Sequence, residues 1–154
     1  ARREALGEDA ARRRLDGVTF HAALPRETMP ELYASSDACI VCLRPLPIFR
    51  KFVPSKIFEI LACGRPLIAA VEGEAAEIVR AAGGIVVPPG DGKAIAGALR
   101  ELAREGTATA GETEPPGRRY VREKFDRRRL AREYLETLRA AAAENPTPGP
   151  LSGR

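Results

Sequence analysis

A chain of 154 residues is the size of one domain, and 44% hydrophobic residues with only 5% aromatics suits an α/β core built on Ala, Leu, Val and Ile. This composition excludes a disordered or fibrous chain, and no segment reaches the run of about 18 apolar residues that a membrane span needs. The net charge of +4 is modest, which removes a strongly basic or acidic chain from consideration and leaves local clusters to be judged in place.

Residues 1–15, rich in Ala, Arg, Glu and Leu, read as a helix loosened at Gly7, and Val18-Thr19-Phe20-His21-Ala22 reads as a short strand. His21 is the only histidine, so neither a zinc cluster nor a Ser-His-Asp relay can be built around several imidazoles. Thr28-Met29-Pro30-Glu31 has the capping-box pattern and opens a short helix to about Ser35. Asp37 then turns the chain into a strand over about 38–43. Cys39 and Cys42 have C-x-x-C spacing, but in a strand an odd separation sends them to opposite faces, which argues against metal or redox use. With Cys63 the count is odd and gives no disulfide framework, as expected of a reducing, cytoplasmic setting.

The stretch Arg44–Pro54 is too proline-broken for a helix and too apolar for an ordinary surface loop, so it reads as an active-site loop. The alternative is that Ile48, Phe49 and Phe52 simply pin it to the core. The run that follows carries the most chemistry. Pro54 favours an extended approach, Ser55 can cap a helix over 55–63, and the remaining first-turn amides then point where an anionic diphosphate can rest. Gly64 ends this helix, and Arg65-Pro66 leads into Leu67–Val71, which has the length and apolarity of a buried parallel strand.

A helix from about Gly73 to Ala82, a Gly83-Gly84 break, a strand Ile85-Val86-Val87 and a turn Pro88–Asp91 come next. Asp91 caps a helix running to about Glu105, residues 106–117 form a Gly/Pro/Thr linker, and helices follow over about 118–125 and 127–143, the second capped by Asp126. Arg118, Arg119, Arg122, Lys124, Arg127, Arg128, Arg129 and Arg132 face only Glu123 and Asp126 in this stretch. Such a run can meet acidic lipid, nucleic acid or a diphosphate, but its apolar positions still recur as a helix requires, and it reads first as a solvated helix face. Residues 144–154 are rich in Pro and Gly and are expected to be a disordered tail. Neither a signal-peptide core nor an initiating Met opens the chain, which reads as an excised fragment.

Strands separated by helices imply parallel pairing and a Rossmann-like three-layer α/β domain over residues 1–143, whose ligands bind beyond the carboxyl ends of the strands. The loop 44–54 and the turns near 72–74 and 88–91 all follow strands and are expected at one edge. No G-x-G-x-x-G or Walker lysine motif is present, which excludes a nicotinamide or ATP site of the usual type.

Val18-Thr19-Phe20, then Pro25 to Tyr33, Ser36-Asp37-Ala38, the run P-S-K-I-F-E-I-L-A-C-G-R-P at 54–66, and Gly84–Asp91 stand in an order that resembles a known family. It is the carboxyl-terminal domain of retaining glycosyltransferases of the GT-B fold, family 4, in a P-S-K-x-F-E variant, and the likeness covers about residues 1–140. The resemblance implies that this half binds a nucleotide-diphosphate-sugar donor while a separate amino-terminal half supplies the acceptor site. Family members commonly carry two glutamates separated by seven residues. Glu59 stands at the second position, which implies hydrogen bonds to the ribose hydroxyls, and a carboxylate suits a vicinal pair of OH donors. Lys51 replaces the first glutamate and is counted among the donor-contacting residues. Ser55 and Lys56 match positions near the diphosphate, and Lys56 is the candidate catalytic residue, neutralising charge that grows on the leaving group. Gly73 and Glu77 match a Gly and a Glu near the donor sugar, and Ala22 to Leu24 lie where backbone meets the base.

No metal and no cofactor are implied beyond the donor itself. Relative to the family, one or two central strands, including one with a basic Lys/Arg pair, are missing ahead of Ala1. The segment 18–22 is therefore expected to be detached, while 38–43, 66–71 and 85–87 remain a consecutive parallel set, and the fragment alone is expected to be inactive. The leading expectation is the donor-binding half of a retaining transferase acting on a glycan or lipid-linked acceptor in cell-surface polysaccharide biosynthesis. The alternative is a non-catalytic donor-binding subunit docked on a membrane-bound acceptor subunit. A sugar-nucleotide epimerase of the same architecture would want more acid–base groups than one histidine allows. Expected partners are the donor, the missing acceptor domain and a peripheral contact at the inner face of the membrane, with no nucleic acid.

Overall fold

The computed structural model of the chain describes residues 2–105 and 114–144. Three strands, β1 (Cys39–Cys42), β2 (Leu67–Ala70) and β3 (Ile85–Val87), pair in parallel in the order β1-β2-β3. In register, Cys39 faces Leu67 and Ile68 faces Ile85. The helices are α1 (Arg2–Arg12), α2 (Met29–Ala34), α3 (Ser55–Ala62), α4 (Glu74–Ala81), α5 (Gly92–Glu105), α6 (Pro116–Lys124) and α7 (Arg127–Glu144).

The central strand β2 is buried at every position, because both faces of the sheet are covered there. Leu67 and Ala69 join Ile57, Ile60 and Leu61 of α3 and Ala75, Ile78 and Val79 of α4 in the larger core. Ile68 and Ala70 meet Ala94, Ile95, Ala98 and Leu102 of α5 on the other side. This gives the three layers expected of a Rossmann-like α/β domain. Full burial of side chains such as Ile57, Ile68 and Val79 contributes about 1.5–3 kcal/mol each. In β1 the alternation is visible: Cys39 and Val41 are buried against α3, whereas Ile40 and Cys42 are exposed. The two thiols of the C-x-x-C spacing thus point to opposite faces. Ile40 remains 44% exposed, while α5 packs mainly on Ile68 and Ala70 of β2 and Ile85 and Val87 of β3.

The segment 18–22 forms no strand; Val18 and Phe20 are exposed, since an apolar run becomes a strand only beside a partner. Its detachment, and the consecutive parallel set that remains, match the expectation. Thr28 does not cap α2. A preceding 3₁₀ turn (Arg26–Thr28) holds it in the helical region, where its hydroxyl donates to the Pro25 carbonyl at 2.8 Å instead of accepting from the next turn. Ser55 is likewise not the cap. Pro54 occupies that position at φ −64°, ψ 129°, and the helix begins one residue earlier than the capping reading required, with no side chain capping it.

The proline-broken loop contains a 3₁₀ turn over Pro47–Lys51, and Ile48 (75% exposed) and Phe52 (50% exposed) do not pin it to the core. Asp91 and Asp126 do cap: their Oδ1 atoms accept from the Ala94 and Arg129 amides at 2.9 and 2.8 Å. Arg129 staples α6 to α7, donating to the Glu123 and Lys124 carbonyls at 3.1 and 2.8 Å and pairing with Glu133 at 2.7 Å, so it leaves the solvated basic run. The linker expected at 106–117 falls partly outside the described residues, as does nearly all of the tail expected at 144–154; residues 116 and 117 are already helical.

Candidate functional site

Helix α3 is amphipathic by spacing. Ile57, Ile60 and Leu61 anchor it to the sheet, which turns Ser55, Phe58, Glu59 and Ala62 toward a groove. Val121 of α6, Phe125 just beyond it and Arg127 at the start of α7 close that groove, whose volume is about 350 Å³. Phe58 and Phe125 pack with ring centroids 4.7 Å apart and form its apolar wall. Glu59 is half-buried, and Arg127 is exposed on the opposite bank. The helix starts beyond the carboxyl end of β1, so the positive end of its dipole points to the edge where parallel sheets bind ligands. A carboxylate, a hydroxyl, a guanidinium and an aromatic wall around one groove can read a polar, anionic ligand with a flat apolar portion.

A second, larger cavity of about 680 Å³ opens at the carboxyl ends of β2 and β3. Val71, Glu72 and Gly73 bound it after β2, Val86, Val87 and Pro88 at β3, and Ala76, Glu77 and Arg80 along α4. Arg50 reaches across from the 3₁₀ turn and its Nε pairs with Glu72 Oε2 at 2.8 Å. The backbone is equally close: Gly73 has φ 63°, ψ −142°, and a Cβ placed there would stand 2.1 Å from the Arg50 carbonyl oxygen. Only glycine tolerates both conditions. The three post-strand loops do converge on one edge, with Arg50, Glu72 and Pro88 around the same space.

The structure therefore brings four of the six candidate residues together, in two separate pairs. Ser55 and Glu59 share the groove, Gly73 and Glu77 share the cavity, and Lys51 and Lys56 are exposed and line neither. Sequence reasoning missed Arg50, Glu72 and Arg80 in the cavity and assigned Arg127 only to a general basic run. The i, i+4 spacing of Ser55 and Glu59 was a readable signal; the approach of Arg50 to Glu72, twenty-two residues apart, had none.

Tyr33 of α2 was also missed as a neighbour of Glu59. Its phenol pKa is raised, first by burial and then by the charge of Glu59. Among the described residues no group of three or more His, Cys, Asp or Glu side chains is arranged to hold a metal ion, and no helix is long and apolar enough to cross a membrane.

No curated protein matches the chain. Among solved structures it is similar to sucrose-phosphate synthase from Thermosynechococcus elongatus, with 26% identity and a TM-score of 0.67 over 88% of this chain. The match takes in 35% of that chain, so the present chain spans about a third of its length. The family model for glycosyl transferases group 1 matches residues 1–105, a span that holds all three strands, α3 with its groove-facing Ser55 and Glu59, and the Gly73 turn; the chain belongs to that family.

Proposed function

We propose that this domain is the donor-binding half of a retaining glycosyltransferase of the family 4 kind, in its P-S-K-x-F-E variant, which takes a sugar from a nucleotide-diphosphate carrier. The observation that carries the reading is a joint one: a group 1 match over residues 1–105 and, inside it, Ser55 and Glu59 on one helix face lining a groove. In this reading Glu59 accepts from the ribose hydroxyls, and the first-turn amides at Ser55 and Lys56 face the diphosphate. Lys56, and Lys51 across the loop, supply positive charge as the leaving group forms, and no metal is invoked. Gly73 and Glu77 hold the donor sugar, whose hydroxyls suit a cavity lined by two arginines and two glutamates.

The acceptor, glycan or lipid-linked, is bound by a second half of the enzyme, and the domain works in the cytoplasm at the inner membrane face. A second reading, a non-catalytic donor-binding subunit docked on a membrane-bound acceptor subunit, is favoured by α7, where Leu130, Tyr134, Leu135 and Leu138 are exposed beside arginines. An acceptor domain in the same reading frame decides for the first reading. Calorimetric titration with uridine and guanosine diphosphates tests donor binding itself. Binding that Glu59→Ala abolishes supports the reading, and heat unchanged by that substitution removes Glu59 from the site.

A further inference from the structure

Residues 116–144 hold nine cationic and five acidic side chains, so they account for the whole of the chain's net charge of +4. Two of these arginines are engaged inside the fold, Arg129 with Glu133 at 2.7 Å and Arg122 with Glu114 at 2.9 Å. Arg128, Arg132 and Arg139 have no ion-pair partner among the described residues. Helix α7 buries no residue along its 18 positions, and Leu130, Tyr134, Leu135 and Leu138 are 39–66% exposed. Apolar side chains gathered on one helix and left in water destabilise the chain unless something covers them.

The placement of charge around α7 says what covers them. Leu130, Tyr134 and Leu138 follow one another at i, i+4 and i+8 and form one row, with Arg127 at its head. Arg128, Arg132, Leu135 and Arg139, spaced by four, three and four, form the adjoining row. Glu133, Glu136 and Glu144 fall on the opposite side, with Arg129. Apolar and cationic side chains thus share one half of the helix surface. A second copy of the chain brings the same cations to this face and is repelled by them, and nucleic acid offers the leucines no apolar phase. An anionic bilayer offers both partners, phosphate head groups to the guanidiniums and acyl chains to the row beside them.

We propose that α7 lies along an anionic lipid surface, with Leu130, Tyr134, Leu135 and Leu138 entering the head-group boundary and Arg128, Arg132 and Arg139 on lipid phosphates. Among the described residues no helix can cross a membrane, so the contact is along the surface and not through it. The inference rests on the membrane-face placement proposed above and sharpens it, since the partner is lipid itself and not a membrane-bound subunit; it does not depend on the donor site. Arg127 also lines the groove of α3, so the contact begins at the edge of that groove, and a lipid-linked acceptor carried in the bilayer lies beside it.

The test is cosedimentation of the 154-residue chain with vesicles of phosphatidylglycerol and phosphatidylcholine in equal parts, and with vesicles of phosphatidylcholine alone. The chain is expected to bind the anionic vesicles, to bind the neutral ones far less, and to be released as salt is raised. Arg128→Gln and Arg132→Gln should each weaken binding about fivefold, whereas Arg104→Gln, a charge on α5, should change it little. Leu135→Ser with Leu138→Ser should weaken it about tenfold or more, and because both side chains are exposed the fold is kept. The chain has no tryptophan, so Tyr134→Trp reports on the row directly, and its emission is expected to move to the blue on anionic vesicles.

No sedimentation with anionic vesicles, equal losses from Arg104→Gln and Arg128→Gln, binding indifferent to the leucine substitutions, or an unmoved Tyr134→Trp emission in the bound protein would overturn the lipid contact. Titration with uridine and guanosine diphosphates in the absence of lipid separates the two readings. A chain that binds nucleotide but no vesicle loses the α7 contact and keeps the donor site, and one that binds vesicles as described but no nucleotide keeps the contact and loses the donor site.

Discussion

Replacing Gly73 by alanine strikes the junction on which the carboxyl edge of the sheet depends. The new Cβ would stand 2.1 Å from the Arg50 carbonyl oxygen, against about 3.3 Å for an ordinary carbon–oxygen contact, so one backbone must retreat by about 1 Å. A carbonyl cannot swing aside as a side chain can, so the 3₁₀ turn over Pro47–Lys51 has to move and carry Arg50 away from Glu72. The backbone at φ 63°, ψ −142° adds its own strain for any residue with a Cβ. Strain and forced displacement together come to about 2–6 kcal/mol, a large share of the roughly 5–15 kcal/mol that holds a domain folded. At about 2–4 °C per kcal/mol for a chain of this size, the thermal midpoint should fall by about 5–20 °C.

Gly97→Ala is the matched control. It lies within α5 with nothing within 4 Å of its would-be Cβ, and it should stabilise by about 0.5–1 kcal/mol. Circular-dichroism melts of the two variants decide the matter. A Gly73→Ala protein that melts with the parent refutes the reasoning about the turn.

Three further predictions concern charge and caps. Tyr33 and Cys39 both have raised pKa values, first through burial; Glu59, Cys39 and Cys63 add to the effect on the phenol, while Ser36 and Arg65 oppose it at the Cys39 thiol and Cys63 adds to it. Each group keeps its proton to higher pH folded than unfolded, so stability is flat near neutrality and falls as pH rises past about 9–10; Tyr33→Phe should flatten that fall, and a midpoint constant to about pH 11 contradicts it. Asp126→Ala removes the acceptor for the Arg129 amide and should cost about 1 kcal/mol, read by chemical denaturation, whereas an unchanged midpoint would show that α7 does not depend on its cap. Lys56→Ala should weaken nucleoside diphosphate binding and make it less salt-dependent, since one cation fewer meets the diphosphate; affinity and salt dependence equal to the parent's would place Lys56 in solvent.

Much of the fold was legible because its signals are local. Asp91 and Asp126 precede helices with free amides to satisfy, and both cap. The apolar runs around 39–42, 67–70 and 85–87 are too short for helices and too apolar for a surface, and they became the three strands. What the sequence hid depends on neighbours. Val18–Ala22 has a strand's composition but no partner beside it among the described residues, and the Thr28 capping box failed because a preceding turn fixed its backbone.

The candidate site was half legible for the same reason. Helical spacing puts Ser55 and Glu59 on one face, but nothing in their spacing says that the opposite bank is Phe125 and Arg127, or that Gly73 and Glu77 line a different cavity. Tyr33 lies twenty-six positions from Glu59, and only packing of α2 on α3 reveals the pair.

The central claim is that a nucleoside diphosphate lies in the groove of α3, and amide chemical-shift mapping of the chain titrated with uridine or guanosine diphosphate tests it most directly. The largest shifts are expected on residues 55–59 and on Arg127. Shifts confined to the cavity of Glu72, Gly73 and Arg80, or none at saturating nucleotide, would contradict it.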